Sequence, residues 1–354
     1  MTDACTGTVR IGHREVGPGH PVYVVAELSA NHGGSLRRAL DLVRVAADAG
    51  ADAVKLQTYT PDTMTLDLDI DAFVVGGGSV WDGRRLYDLY AEAQTPWEWH
   101  RELAEAATDA HIDWFSTPFD PSAVEFLAGL DSPAYKIASF EIVDLDLVAA
   151  AASHGRPLVI STGMATAGEI DDAVRTARDA GAGGVVVLHC SSAYPAPFVD
   201  LDLRTIPDMA ERWDAPVGFS DHTMGSVAAV AAVALGACFL EKHLTLERSD
   251  GGPDAAFSCE PAEFADYVRD VRGAESALGG VRYGPSHDEA ASLRLRRSLW
   301  FVSDLPAGEI VGPDAVRALR PGDGLAPRHR SEVVGRRTSR AVTTGTPVSW
   351  DLLD

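Results

Sequence analysis

Short apolar runs rich in β-branched residues alternate along the chain with longer segments whose apolar residues recur at helical spacing. The predicted strands are 22–31, 53–59, 113–118, 134–139, 157–162, 184–191, 216–221 and 238–245. The predicted helices include 35–49, 97–110, 169–180 and 225–235, and a helix over 261–278 closes the series. Strands that are each followed by a crossover segment are typical of an α/β protein with a (β/α)₈ TIM barrel.

One connection in this alternation is unusually long. Residues 61–95 follow the second predicted strand and contain three successive glycines at 76–78. No Lys-Ser/Thr pair follows these glycines, so they indicate a flexible loop rather than a phosphate-binding loop. We expect the connection to form a lid or a specificity loop.

The end of the chain has a different character. Residues 281–292 have the composition of a linker, and residues 293–354 are rich in arginine, turn residues and short β-like runs. The sequence therefore predicts a barrel domain over 1–280 and a second, β-rich domain over 293–354. So small a domain has little core of its own, and we expect it to be stable only when it packs on another surface.

Charge and composition exclude several classes of function. The chain of 354 residues has 30 Lys+Arg against 52 Asp+Glu, a net charge of −22 at pH 7. Such a surface repels phosphate backbones and anionic lipids, which argues against binding to nucleic acid or to a membrane. The longest apolar run, 227–240, has 14 residues, whereas a membrane-spanning helix needs about 20. No signal peptide and no CxxC pair is visible, so we expect a cytoplasmic protein without a disulfide framework.

The lysines point to an anion-binding site. Only three of the basic residues are lysines, and all three lie near the carboxyl ends of predicted strands, where barrels place their functional groups. Ammonium and hydroxyl donors together suit phosphate and carboxylate groups. The candidate ligands of a small, highly charged anion are Lys55, Thr117, Lys136, Ser139, Ser161 and Ser220.

Two histidines suggest a metal site beside these donors. His222 and His243 follow adjacent predicted strands and are candidates to hold a divalent metal, with Glu27 or water completing the coordination. A single histidine is more often a hydrogen-bonded core residue, but a pair beside a polar ring favours the metal. The tryptophans Trp81, Trp97 and Trp99 are expected to pack rather than to stack on a ligand.

Seven motifs along the chain resemble the sialic-acid synthase family. They are ELSANHGG at 27–34, DAVKLQ at 52–57, STPFD at 116–120, YKIAS at 135–139, STGM at 161–164, SDHT at 220–223 and EKH at 241–243. The tail resembles the antifreeze-protein-like (SAF) domain of that family, so the resemblance spans nearly the whole chain. Within the family, residues 81–100 are similar to the branch that makes pseudaminic acid rather than N-acetylneuraminate.

The resemblance implies a reaction and a role for each candidate residue. The family condenses phosphoenolpyruvate with an N-acetylated aldose, releases phosphate and forms a nine-carbon 2-keto sugar acid. The six donors named above would hold phosphoenolpyruvate, and the two histidines would bind Mn²⁺. A third group of residues would face the open-chain sugar or the attacking water: Glu27, Gln57, Glu141, Tyr194 and Asp254.

Two further positions follow from the same resemblance. Ser192 stands where the family usually has asparagine, which shortens a side chain near the phosphate. Arg320 matches the small-domain arginine that reaches the active site of a neighbouring subunit, which implies a domain-swapped homodimer.

Other interpretations stay open on the sequence alone. The acceptor is predicted to be 2,4-diacetamido-2,4,6-trideoxy-altrose, with N-acetylneuraminate or legionaminic acid synthesis as alternatives. An aldolase that uses Lys55 or Lys136 as a Schiff base would keep the barrel but release no phosphate. A non-catalytic sugar sensor would keep only the pocket.

Overall fold

A short antiparallel hairpin precedes the barrel, and the sequence analysis did not predict it. In the computed structural model, which describes residues 7–78 and 80–354, the hairpin consists of β1 (Val9–Ile11) and β2 (Arg14–Val16). Val9, Ile11 and Val16 are buried in one apolar cluster with Phe115 and Phe239 of the barrel interior. The hairpin therefore closes the end of the barrel at which the strands begin. The first six residues, including Cys5, lie outside the described residues.

Eight parallel strands form the closed barrel that the sequence predicted. They are β3 (Tyr23–Glu27), β4 (Ala53–Thr58), β5 (Asp113–Pro118), β6 (Tyr135–Ile137), β7 (Leu158–Ser161), β8 (Val185–Cys190), β9 (Val217–Asp221) and β10 (Phe239–His243). The last strand closes the barrel by pairing with both β9 and β3. The fold class is thus confirmed.

Helices cover the outside of the barrel. They are α1 (Leu36–Asp48), α4 (His100–Asp109), α5 (Pro121–Ala128), α6 (Leu145–Ala152), α7 (Ala167–Asp179), α8 (Thr205–Trp213), α9 (Val227–Ala234) and α10 (Pro261–Leu278), whereas α2 (Pro61–Met64) and α3 (Leu86–Ala93) lie in the long connection after β4. Helix α1 shows why these segments fold as they do: its N-cap Ser35 accepts a hydrogen bond from the backbone N–H of Arg38. Its buried residues Ala39, Leu42 and Val43 form one stripe, which packs on the strands.

The first barrel strand is shorter than predicted. It ends at Glu27 rather than at residue 31, because Ser29 has a φ of 42° and turns the chain out of the extended conformation. Alternation of side chains therefore does not continue to Asn31, whose amide instead donates to the carbonyl of Leu244 and to Ser258.

The long connection after β4 is ordered by its own contacts. Val75 exchanges backbone hydrogen bonds with Gly83 and Arg84. Arg84 forms an ion pair with Glu92, and Arg85 forms one with Asp67. The connection, residues 61–95, is therefore a folded insertion, and the name "insertion" is used for it below.

The chain divides into two compact units, the second being Gly280–Asp354. The second unit contains the antiparallel pair β11 (Ser298–Phe301) and β12 (Val316–Leu319) and the short helix α11 (Arg330–Val333). Contrary to the expectation that so small a domain has little core, it has an apolar core of its own, in which Leu299 and Phe301 are fully buried. No helix within the described ranges is long and apolar enough to cross a membrane.

Candidate active site

Four charged side chains form a continuous row inside the barrel, near the carboxyl ends of the strands. Glu27 lies opposite Lys55 in the β3–β4 register, and the two side chains form an ion pair. Nζ of Lys55 also lies 3.6 Å from Glu241 Oε1, and Nζ of Lys136 lies 3.2 Å from Glu241 Oε2. All four are buried. Two ammonium groups are thereby held in the barrel mouth with Glu241 between them.

The protonation of this row follows from its geometry. Burial alone would raise the pKa of Glu241, but Lys136 and Lys55 lower that pKa below its usual value, so the carboxylate is ionised. Burial would lower the pKa of Lys55, yet Glu241 and Glu27 raise it, which keeps this ammonium charged. For Lys136 burial is the largest influence and its pKa is lowered, although Glu241 opposes that change.

The hydroxyl groups predicted from the sequence line the same space. Thr117 Oγ1 accepts a hydrogen bond from Lys55 Nζ at 3.1 Å, and Ser220 donates to Glu241 at 3.3 Å. The hydroxyls of Ser161 and Ser192 are buried and have no hydrogen-bond partner among the described residues. Buried donors without partners are costly unless a ligand completes them. Both hydroxyls are therefore available to hydrogen-bond a ligand or water.

Gly163 allows the loops after β6, β7 and β8 to pack closely at the carboxyl ends of these strands. It has a φ of 41°, and a Cβ at this position would lie 2.6 Å from the hydroxyls of both Ser139 and Ser192. The loops after β6, β7 and β8 can approach only because this residue has no side chain. Ser139 and Ser192 are thus brought to one point, and Ser192 belongs to the polar lining.

The two histidines lie side by side at the ends of β9 and β10. Their ring centroids are 5.5 Å apart, and Nδ1 of His222 donates to the carbonyl of Ser191 at 2.8 Å. Nδ1 of His243 is buried, and no described residue bonds to it. Burial, then the neighbouring His222, lower the pKa of His243 well below its usual value, so the ring is neutral.

These rings can serve as two ligands of a metal ion. Neutral imidazoles with available nitrogen lone pairs suit a divalent transition metal. Within the described ranges, no group of three or more His, Cys, Asp or Glu side chains is arranged to hold such an ion. Glu27, the predicted third ligand, instead pairs with Lys55. If a metal is bound by the two histidines, water or substrate oxygen would have to supply its other ligands.

An aromatic wall stands beside the histidines. Tyr194 lies 4.4 Å from the ring of His222, and Phe257 lies 5.0 Å from both Tyr194 and His243. Trp81 of the insertion packs on Tyr194 at 5.3 Å and donates its Nε1–H to the carbonyl of Pro253 at 2.7 Å. The insertion thus contributes directly to the site.

The other two tryptophans take no part in this wall. Trp97 packs on Phe126 with ring centroids 4.6 Å apart, and Trp99 packs on His32 at 5.4 Å. The expected packing role describes all three tryptophans, but only Trp81 packs against residues of the site.

Three of the five residues predicted to face the sugar, Glu27, Gln57 and Asp254, are linked through Ser29. The amide of Gln57 donates to Glu27 at 3.2 Å and to the Ser29 hydroxyl at 3.1 Å, and that hydroxyl donates to Asp254. Burial raises the pKa of Asp254 to about 6. It also raises the pKa of Glu141 to about 7, and the Oε2 atom of this side chain has no partner in the described structure. Two carboxyl groups can therefore carry a proton close to neutral pH.

Sequence reasoning missed one charged residue of the row. Glu241, which lies between the two lysines, was not assigned a role, although it precedes His243 by two positions on the same strand and so shares its face. Lys242, the third lysine at a strand end, was not among the predicted anion ligands, and it points out of the barrel: its Nζ lies 3.2 Å from Asp221 and 5.3 Å from the ring of Tyr267 on α10. Arg320 belongs to the second unit, so its predicted role stays a prediction.

Comparison with known proteins is consistent over nearly the whole chain. The NeuB family model matches residues 42–283, and the SAF domain model matches residues 296–354. Pseudaminic acid synthase of Campylobacter jejuni is 41% identical over 92% of this chain and 94% of its own length. N,N'-diacetyllegionaminic acid synthase of Legionella pneumophila is 35% identical over 94% of both chains.

A solved structure agrees with these sequence matches. The crystal structure of the N-acetylneuraminic acid synthetase from Leptospira borgpetersenii superposes with a TM-score of 0.72 at 31% identity. The match covers 81% of this chain and 95% of that one.

Proposed function

Because the chain belongs to the NeuB family of phosphoenolpyruvate-dependent nonulosonic acid synthases, we propose that its acceptor is 2,4-diacetamido-2,4,6-trideoxy-altrose and its product pseudaminic acid. The family assignment sets aside the aldolase and sensor interpretations. What remains to be decided is the sugar, since relatives with different products match over similar lengths.

In this proposal the lysine and hydroxyl ring binds phosphoenolpyruvate. Lys55 and Lys136 supply two ammonium groups, and the unpartnered hydroxyls of Ser161 and Ser192 gain acceptors when the phosphate and carboxylate oxygens arrive. Thr117, Ser139 and Ser220 complete the lining. Burial of the whole ring excludes bulk water and strengthens each of these charge-assisted bonds.

The histidine pair is proposed to hold Mn²⁺. The unpartnered Nδ1 of His243 and the second ring nitrogen of His222, whose Nδ1 donates to the carbonyl of Ser191, suit such an ion. When bound, it would supply Lewis-acid polarisation of the sugar aldehyde. The chain's own residues orient the acceptor beside phosphoenolpyruvate, so that the two react within one complex rather than by chance collision.

The covalent steps balance without any further reactant. C3 of phosphoenolpyruvate bonds to the aldehyde carbon, and the aldehyde oxygen takes up a proton to become a hydroxyl. Water then adds to C2, and the intermediate loses inorganic phosphate to leave a 2-keto acid. Glu141 and Asp254, whose pKa values are raised to about 7 and about 6, can hold or release protons during these steps.

The observation that supports a 6-deoxy, di-N-acetylated sugar over N-acetylmannosamine is the packing of Trp81 on Tyr194 and Phe257, next to the two histidines. Among such sugars, the altrose derivative is proposed because of the similarity to pseudaminic acid synthases. A sugar with a C6 methyl and a second acetamido group is less polar than N-acetylmannosamine. Burying the additional methyl groups against this wall is worth about 1–3 kcal/mol, or roughly 10- to 200-fold in kcat/KM. The wall therefore favours the 6-deoxy, di-N-acetylated acceptor.

Competition between acceptors tests this choice. With phosphate release as the readout, we expect kcat/KM to be higher for the altrose derivative than for N-acetylmannosamine. We expect Trp81→Ala to reduce the ratio of these two kcat/KM values. Trp97→Ala is the matched control, because Trp97 packs on Phe126 outside the wall. Equal or better kcat/KM for N-acetylmannosamine would reject the pseudaminic acid assignment. Preference for the 2,4-diacetamido precursor of legionaminic acid would reject it equally.

We further propose a domain-swapped homodimer in which Arg320 completes the partner's site. Residues 281–354 carry eleven arginines against nine acidic residues, whereas residues 1–280 carry 19 basic and 43 acidic residues. This contrast in charge favours association of the second domain with an acidic barrel.

A further inference from the structure

Ser29 has a backbone conformation that a buried serine seldom adopts. Its φ is 42°, in the left-handed region that side chains other than glycine disfavour. The structure describes four other non-glycine residues with such a φ, namely His111, Asp131, Asp202 and Asp214, and all four are exposed. Ser29 is only 3% exposed. Buried backbone strain of this kind persists only where the surroundings hold it in place.

The side chain of Ser29 lies at a junction of polar groups. Its hydroxyl donates to the Asp254 carboxyl and accepts from Gln57 Nε2 at 3.1 Å. Its backbone N–H donates to Glu27 Oε1 at 2.9 Å. Three side chains assigned to the sugar side of the site therefore converge on this one residue.

Glycine would adopt the same backbone conformation without strain and would keep the N–H bond to Glu27. Only the hydroxyl distinguishes serine from glycine at this position, and this hydroxyl is what connects Asp254 to Gln57. The strained serine therefore has a chemical reason to be there, since a relaxed glycine would leave both polar groups without their shared partner.

We propose that Ser29 is a positioning residue for the acceptor sugar: its hydroxyl aligns the Asp254 carboxyl and the Gln57 amide, at the expense of backbone strain. The proposal rests on the proposed function for the identity of the sugar. It predicts that relieving the strain raises stability relative to a variant that keeps it, whereas catalysis is lost whenever the hydroxyl is absent.

Three full-length variants separate the two effects. Ser29→Gly removes the hydroxyl and the strain, whereas Ser29→Ala removes the hydroxyl and keeps the strain. Asp214→Gly is the control, because Asp214 has a φ of 43° at the exposed carboxyl end of α8, away from the site. We expect Asp214→Gly to melt at or above the temperature of the parent protein, and Ser29→Gly to melt above Ser29→Ala, since both lack the hydroxyl and only Ser29→Ala keeps the strain.

In kcat/KM, we expect the two Ser29 variants to resemble each other and to differ from Asp214→Gly. Both Ser29 variants should lose about 10- to 100-fold in kcat/KM for the sugar, the effect of deleting a hydrogen bond to a charged group, with the KM for phosphoenolpyruvate little changed. Asp214→Gly should match the parent. Parent-like kcat/KM for the sugar in Ser29→Gly, or an equal rise in the KM of both substrates, would overturn the proposal.

A crystal structure of Ser29→Gly provides a test that does not depend on turnover. We expect the Asp254 carboxyl and the Gln57 amide to rotate away from their positions in the parent. Unmoved side chains would overturn the positioning role. If the parent releases no phosphate with any acceptor, the proposed function fails, and this crystal structure still decides the role of Ser29.

Discussion

Lys136 and Lys242 are a matched pair that separates ligand binding from stability. Both are buried, and each has a carboxylate oxygen 3.2 Å from its Nζ atom. Lys136 points into the barrel mouth, whereas Lys242 points outwards to Tyr267. The perturbation is the same in both cases: Lys136→Met and Lys242→Met each replace a buried ammonium by an uncharged side chain of similar length.

The loss of stability should be similar in the two variants. Removing one partner of a buried ion pair costs about 3–5 kcal/mol, because the other charge is left uncompensated. Each orphaned carboxylate keeps other partners: Glu241 retains Lys55 at 3.6 Å, and Asp221 retains the backbone N–H of Thr223 at 2.8 Å. We therefore expect the lower half of that range for both variants, measured as the free energy of unfolding in urea.

The affinity for phosphoenolpyruvate should differ sharply between them. Lys136→Met deletes a charge-assisted hydrogen bond worth about 1.5–3 kcal/mol, which corresponds to a rise in Kd of about 10- to 150-fold. Lys242→Met leaves the ring of donors intact, and its Kd should stay near that of the parent. Calorimetric titration of each full-length variant measures both values. If Lys242→Met weakens binding as much as Lys136→Met does, the anion site is misassigned.

Three further predictions concern the metal, the partner subunit and pH. Chelation by EDTA should abolish turnover and Mn²⁺ should restore it; full activity of the chelated enzyme would refute the role of His222 and His243. Arg320→Ala and Lys136→Met should each be nearly inactive alone. When the two variants are mixed and their subunits reassembled, half of the dimers contain one variant of each kind and thus one complete site out of two, so about a quarter of parental activity should return. No recovery would contradict a trans-acting Arg320. Because the folded protein raises the pKa of Glu141 from 4.5 to about 7, the free energy of unfolding should fall by up to about 3 kcal/mol as pH rises through that interval. Glu141→Gln should remove this dependence, and an unchanged pH profile in urea melts would show that another group is responsible.

Much of the site was predictable because the carboxyl ends of all strands in a parallel barrel lie close together at one end. Once the strand ends were recognised, Lys55, Lys136 and the two histidines had to meet in the barrel mouth. The strands themselves were readable from β-branched runs, since both of their faces are buried.

What the sequence did not reveal depends on side-chain direction and on contacts between distant residues. Lys242 follows Glu241 directly, so the same strand end sends one charge inwards and the next outwards. The left-handed turn at Ser29 has no glycine to signal it, and it therefore went unpredicted. The hairpin of β1 and β2 consists of three-residue strands, too short for any periodicity to show.

That hairpin also governs how molecules pass through the enzyme. Val9, Ile11 and Val16 pack on the apolar interior at one end of the barrel, so we expect ligands to reach the polar residues from the other end, where the strands finish. Lys55 and Lys136 lie within their strands, deeper than Trp81 and Tyr194, which lie in the loops beyond the strand ends. If the two subsites are as proposed, we expect binding to be ordered: phosphoenolpyruvate binds before the sugar covers it, and phosphate leaves after the sugar acid.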